Sequence, residues 1–185
     1  MKKALYVIAL VMLVLILASC NSLKVRMGDY SDFHLLPLSS VDSPLDSYQL
    51  VTGSFPGYED IAVEAWLVWD DNGLELMLFA PTGQTMGKIF YDGKDLKFES
   101  AFMPEYRIIG LYMVADMQLC FASSEALSRE LAQDGMILVE GFEDGRLSRR
   151  SVFENGVQIY EITYSGNVIS VSNTLRGYSY TIETL

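Results

Sequence analysis

Histidine is almost missing from this chain: His34 is the only one in 185 residues. A His/Cys/carboxylate metal set therefore has no material. A Ser-His-Asp arrangement would need His34 to dock against the rest of the protein. Cysteine is equally scarce, with only Cys20 and Cys120, so no disulfide framework is available and a hydrophobic core must hold the fold. Basic residues are few, 13 against 24 acidic, for a net charge of −11. Such a chain repels nucleic acid and anionic lipid headgroups, and nucleic-acid binding is excluded. Gly83 and Gly87 are not followed by the Lys-Ser/Thr of a phosphate loop. The carboxylate pairs Glu59-Asp60 and Glu143-Asp144 sit beside turn glycines, where solvated loops account for them. Nothing here marks an enzyme, a metal site or a bound cofactor. No internal repeat is evident.

The chain does have one long apolar run, Ala4 to Ala18, behind Lys2 and Lys3. Its 15 residues fall short of the roughly 20 that cross a bilayer core, but they suit a signal-peptide core. The run ends in Leu17-Ala18-Ser19-Cys20, which resembles the bacterial lipobox. That resemblance implies removal of residues 1–19 and a diacylglycerol on the Cys20 sulfur. Two or more acyl chains then give stable anchoring, at about 0.8 kcal/mol per buried CH₂. Asn21 in place of Asp favours, by the same resemblance, the periplasmic face of the outer membrane. The mature chain would have 166 residues and, without Lys2 and Lys3, a net charge of −13. That length suits one domain. Cys120, in the apolar run Met117 to Ala122, reads as a small buried hydrophobe.

Residues 20–47, with Pro37, Pro44 and Ser39-Ser40-Val41-Asp42-Ser43, read as a lipid-anchored tether whose end lies against the domain through Phe33, Leu35, Leu36 and Leu38. From Tyr48 onward the pattern is β. Ile61 to Trp69 and Leu74 to Ala80 flank Asp70-Asp71-Asn72-Gly73, an Asn-Gly hairpin signal. Strands follow at Met86–Tyr91, Asp95–Ser100, Leu147–Glu154, Val157–Tyr164, Val168–Asn173 and Tyr178–Glu183. Ser124 to Asp134 lacks β-branched residues and predicts a helix capped by Ser123 or Ser124. Ile108 to Ala122 is too uniformly apolar for periodicity to separate helix from buried strand. Met103-Pro104 and Tyr106-Arg107 are placed in a loop, and Arg149-Arg150, the one adjacent basic pair, in surface ion pairs.

Alternation puts Val63, Ala65, Leu67 and Trp69 on one face, with Leu74, Leu76 and Leu78, and groups Tyr160, Ile162 and Tyr164 with Tyr178, Tyr180 and Ile182. This face must be covered, either by a packed core or by a lid over an apolar cavity, and pattern alone leaves both open. The expected fold is mainly β (α+β): a curved antiparallel half-open barrel of about 9–11 strands with a short helical lid insertion.

Three stretches carry a resemblance to the LolA/LolB lipoprotein carriers: Tyr48 to Phe55, Leu78 to Thr85 with its Pro-x-Gly-x-Thr turn, and Arg146 to Tyr164. The pattern Arg150, Gly156, Ile162, Tyr164, Gly177, Tyr178 and Ile182 is similar to that of LolB-like outer-membrane lipoproteins. The resemblance implies one domain over 48–185 that binds lipid or acylated cargo without catalysis. Its expected cavity lining is Leu67, Trp69, Leu76, Leu78, Tyr160, Ile162, Tyr164, Tyr178 and Tyr180. The alternative expectation is an accessory lipoprotein of an envelope export or assembly system with a packed core. LolB's exposed hydrophobic loop has no counterpart in this sequence.

Overall fold

The structure is a computed structural model that describes residues 23–55, 58–100 and 107–185. The predicted signal peptide, Cys20 and the loop residues Met103, Pro104 and Tyr106 lie outside the described residues. The chain builds two five-stranded meanders. The first is β3 (Leu45–Phe55), β4 (Tyr58–Asp70), β5 (Gly73–Phe79), β6 (Thr85–Tyr91) and β7 (Leu96–Ser100). The second is β8 (Met136–Glu143), β9 (Arg146–Glu154), β10 (Val157–Ser165), β11 (Val168–Asn173) and β12 (Tyr178–Thr184). β12 returns to pair antiparallel with β3, giving one ten-stranded sheet in the order β7-β6-β5-β4-β3-β12-β11-β10-β9-β8. The sheet does not close into a barrel: β7 and β8 remain its edges. Two helices, α1 (Arg107–Phe121) and α2 (Ser124–Gln133), connect those two edges. The link between the meanders therefore runs across the sheet, over its apolar face.

Local chemistry explains the hairpins. At Asn155-Gly156 both residues have positive φ (50° and 81°), the geometry that the tight β9–β10 turn needs. The β4–β5 turn is built differently. Asp70 Oδ1 accepts the backbone N–H groups of Asn72 (2.7 Å) and Gly73 (3.2 Å), so the Asp sets this turn and neither Asn72 nor Gly73 has a positive φ. The uniformly apolar segment from Ile108, where periodicity does not decide, is helical as α1 up to Phe121. α2 begins where expected, with Ser123 Oγ accepting from Ala126 N at 3.3 Å.

The apolar face is the one expected. Ala65, Leu67 and Trp69 of β4 lie opposite Leu78, Leu76 and Leu74 of β5, and all but Leu78 are fully buried. Ile162, Val171 and Tyr180 continue the row through β10, β11 and β12.

Phe33, Leu35, Leu36 and Leu38 lie against the domain as expected, but the docking is not confined to the end of the segment: from residue 23 onward it is folded onto the domain and is not a spacer. Lys24–Arg26 (β1) and Asp32–His34 (β2) form a small hairpin, followed by a 3-10 turn at Leu38–Ser40. Val25, Met27, Phe33, Leu35 and Leu36 are buried. Side chains distant in sequence supply the hydrogen bonds that the segment cannot make internally. Gln118 of α1 exchanges two with Leu36 (2.8 and 3.0 Å), the Tyr91 hydroxyl donates to Leu36 O (3.0 Å), and Trp69 Nε1 donates to Leu38 O (2.9 Å). His34 also docks, against Glu130 of α2 at 2.9 Å.

Candidate functional site

α1 is the element that decides what the sheet can hold. It is apolar throughout except for two internal polar residues, Asp116 and Gln118, both buried. Burying a carboxylate among apolar groups is costly unless hydrogen bonds replace its water. Three tyrosines from two strands do so. Tyr160 donates to Asp116 Oδ1 (3.0 Å), Tyr180 to Oδ2 (3.0 Å), and Tyr178 reaches both oxygens (3.1 and 3.0 Å). The Tyr160 and Tyr178 hydroxyls also share a hydrogen bond of 2.7 Å. Burial pushes the Asp116 carboxyl up to about 6, against the lowering effect of the three hydroxyls and of Arg176. Burial likewise holds the Tyr160 and Tyr180 hydroxyls well above their ordinary value, with the nearby carboxylate adding to it.

The end of α1 is fixed by a second polar cluster. Arg150 on β9 is only 5% exposed. Its Nη1 donates to Leu119 O (2.8 Å) and Cys120 O (3.3 Å), and Nη2 to Ala122 O (2.8 Å). Its Nε pairs with Glu140 of β8 (2.8 Å), and the guanidinium lies over the Tyr164 ring. Tyr164 donates to Cys120 O at 2.8 Å. The last carbonyls of a helix have no intrahelical partner. Here a cation also meets the negative end of the helix dipole. The surface ion pair expected for Arg149-Arg150 is thus corrected: Arg150 faces the core because it alternates with exposed Arg149 along the strand. Cys120 is buried, as its context implied, and burial raises its thiol.

Between α1 and the sheet lies an apolar cavity of about 70 Å³, bordered by Leu76, Leu78, Met113, Met117, Tyr180 and Gln49. The Gln49 Oε1 atom is buried without a hydrogen-bond partner among the described residues. On the other side of Met113 and Asp116 a solvent-facing hollow of about 640 Å³ opens, with Arg26, Tyr112, Arg176 and Tyr178 in its walls. Met113 and Asp116 border both spaces. Of the nine residues expected to line a cavity, Leu76, Leu78 and Tyr180 border the inner one and Tyr178 the outer hollow. Leu67, Trp69, Tyr160 and Ile162 are enclosed by packed neighbours, and Tyr164 serves the helix end. The sheet's opposite face carries a polar dip of about 650 Å³ bordered by Thr52, Ser54, Thr163, Ser170, Ser172 and Thr181, a solvated surface.

Sequence reasoning missed Asp116. Its signal was a lone carboxylate in a 15-residue apolar segment, facing a sheet whose tyrosines had already been placed on the inner face. Among the described residues no group of His, Cys, Asp and Glu could hold a metal ion, and no helix is long and apolar enough to cross a membrane.

A comparison with curated proteins gives no match. Residues 46–185, from the start of β3 to the end of β12, match the family described as "Protein of unknown function (DUF3261)", and the chain belongs to that family.

Proposed function

We propose that this protein is an envelope lipoprotein of LolA/LolB-like type, held at the periplasmic face of the outer membrane by acyl chains on Cys20. Its domain receives an acyl chain or other lipid tail between the sheet and α1, without catalysis. One observation carries this reading: the helix over the apolar face is seated at its middle and its end by exchangeable polar contacts, Asp116 to three tyrosines and Arg150 to three carbonyls, with a small apolar cavity already beneath it. Water replaces such hydrogen bonds to charged groups at a net cost of about 1.5–3 kcal/mol each. The apolar face uncovered by helix movement would be covered again by cargo. A 16-carbon chain brings on the order of 12 kcal/mol of its own apolar burial to that exchange.

A second reading rests on the size of the cavity. At about 70 Å³ it is far below the roughly 300–1,000 Å³ of ordinary ligand sites, and most of the expected lining is packed core. On that reading the domain is an accessory module of an envelope export or assembly system, with lipid only at its anchor. Native mass spectrometry of protein with Cys20 replaced, combined with uptake of a fluorescent fatty acid, separates the two. Co-purified lipid and saturable uptake support the carrier. A bare chain with no uptake supports the module.

A further inference from the structure

The two edges of the sheet are guarded unequally. A sheet edge presents unpaired backbone donors and acceptors, and proteins protect it with short strands, charges or covering elements. β7 is five residues long, carries Lys97 and Glu99 on the sheet's outer face and packs against α1. β8 is eight residues long and pairs only with β9; α2 packs against its inner side, so what stays open is its backbone edge and its outer face. Among the described residues, no backbone group of another segment bonds to its free side. Its inner side chains are engaged: Met136 is buried, and Glu140 meets both Arg150 and Ser124. Its outer ones are not. Ile137 is 60% exposed and Val139 44%.

The next residue in the outer row after Val139 is Gly141, opposite Arg149 of β9. With no side chain at Gly141, Arg149 lies over it: the position of a Cβ there would be 3.6 Å from Arg149 Cβ and 3.7 Å from its Nε. Arg149 is exposed and has no hydrogen bond or ion pair among the described residues. The glycine thus opens a path from the free edge to an uncommitted guanidinium one strand further in.

We infer that β8 is a docking edge for an extended segment of a partner polypeptide, which joins the sheet as an eleventh strand. The segment has apolar side chains opposite Ile137 and Val139 and a carboxylate opposite Gly141, reaching Arg149. Backbone hydrogen bonds along the edge supply affinity, and the alternating side chains supply specificity. The inference does not depend on what lies under α1.

The test is selection of phage-displayed random 12-residue peptides on the full-length chain in nanodiscs, followed by synthesis of the enriched sequences. The expected peptides alternate apolar residues with a single Asp or Glu in fixed register. Their binding falls at least tenfold with Val139→Lys or Arg149→Glu, and N-methylation of alternate backbone nitrogens abolishes it. Replacing the peptide's acid by Lys restores binding to the Arg149→Glu variant. Both substitutions are at exposed positions and leave the melting curve unchanged. Failure to enrich such a pattern, or binding indifferent to both variants, overturns the inference. So does a dimer of the unliganded chain in sedimentation that Val139→Lys dissociates, because the occupant would then be a second copy.

Discussion

Replacing Asp116 by Asn has a consequence whose sign follows directly from burial. The carboxyl titrates near 6 in the folded protein and near its ordinary 3.8 when unfolded. A raised folded value means that the native state holds its proton more tightly, so the contribution to stability is complete below pH 3.8 and is lost as pH rises through 6. A gap of about two pH units corresponds to about 3 kcal/mol once the group is fully ionised in both states. The substituted amide cannot ionise, so the variant escapes this loss, while every other titrating group acts in both proteins. The stability of Asp116→Asn relative to wild type should therefore rise by about 2 kcal/mol between about pH 4 and pH 8. With a urea slope of about 2 kcal/mol per molar, the difference between the two unfolding midpoints shifts by about 1 M over that range. Its absolute sign at the acid end also depends on how the tyrosines adapt to an amide, but the slope does not. A difference between midpoints that stays flat across this range would refute the argument and mean that the three hydroxyls fully compensate the buried charge.

Arg150→Met should cost about 2–4 kcal/mol in chemical denaturation, because it leaves half-buried Glu140 without its cation and three helix carbonyls without a donor. Gly28→Ala would place a Cβ 2.3 Å from Glu154 Oε1, dislodging the carboxylate that accepts Asp29 N (2.8 Å) and Tyr30 N (3.1 Å). A loss of about 1–3 kcal/mol in thermal unfolding is expected, with faster amide exchange at residues 29–31. Burial alone would raise the Glu154 carboxyl, but the bonds from Ser31, Tyr30 and Asp29 outweigh it and hold it below its ordinary value. The support it gives this loop should then be present near neutral pH and fade as the medium is acidified through that lowered value. Cys20→Ala should abolish incorporation of radiolabelled palmitate into the protein, since the Cys20 thiol and the amine freed beside it are the expected acylation points.

Much of the sheet was legible because its signals are local. Asn155-Gly156 dictates a hairpin by itself, and strict alternation around Leu67, Leu76 and Ile162 identifies the inner face. The β1–β2 hairpin was not legible. Its strands are three residues each, and they hold their place through Gln118, Tyr91, Trp69 and Glu154, partners 31 to 125 positions away. No window of sequence contains that information. β8 escaped for the opposite reason. Ile137, Leu138 and Val139 are consecutive apolar residues, so alternation, which exposes an ordinary half-buried strand, is absent there. The polar seat of α1 lies between these cases. Arg150 was conspicuous in sequence, but its direction into the core depends on a register that only the paired strands define.

The arrangement of that seat bears on how α1 could move. Asp116 and Arg150 act on different parts of one helix and on different strands: β10 and β12 hold the middle, β9 holds the end. The end contact neutralises a helix terminus with a permanently charged group, so it is insensitive to pH in the physiological range. The middle contact is a carboxylate that burial penalises once ionised. At neutral pH the two therefore oppose each other, one holding the helix down and the other favouring access of water to Asp116 from the hollow it borders. The N-terminal half of the helix has holds of its own: Tyr112 donates to Arg26 O at 3.0 Å, Arg107 pairs with Asp95, and Gly110 sits against Leu96 and Phe98 of β7. That half carries Met113, which with Asp116 borders both the outer hollow and the cavity against Leu76 and Leu78. Joining the two spaces would leave the sheet intact but would break these contacts as well as the seat at Asp116.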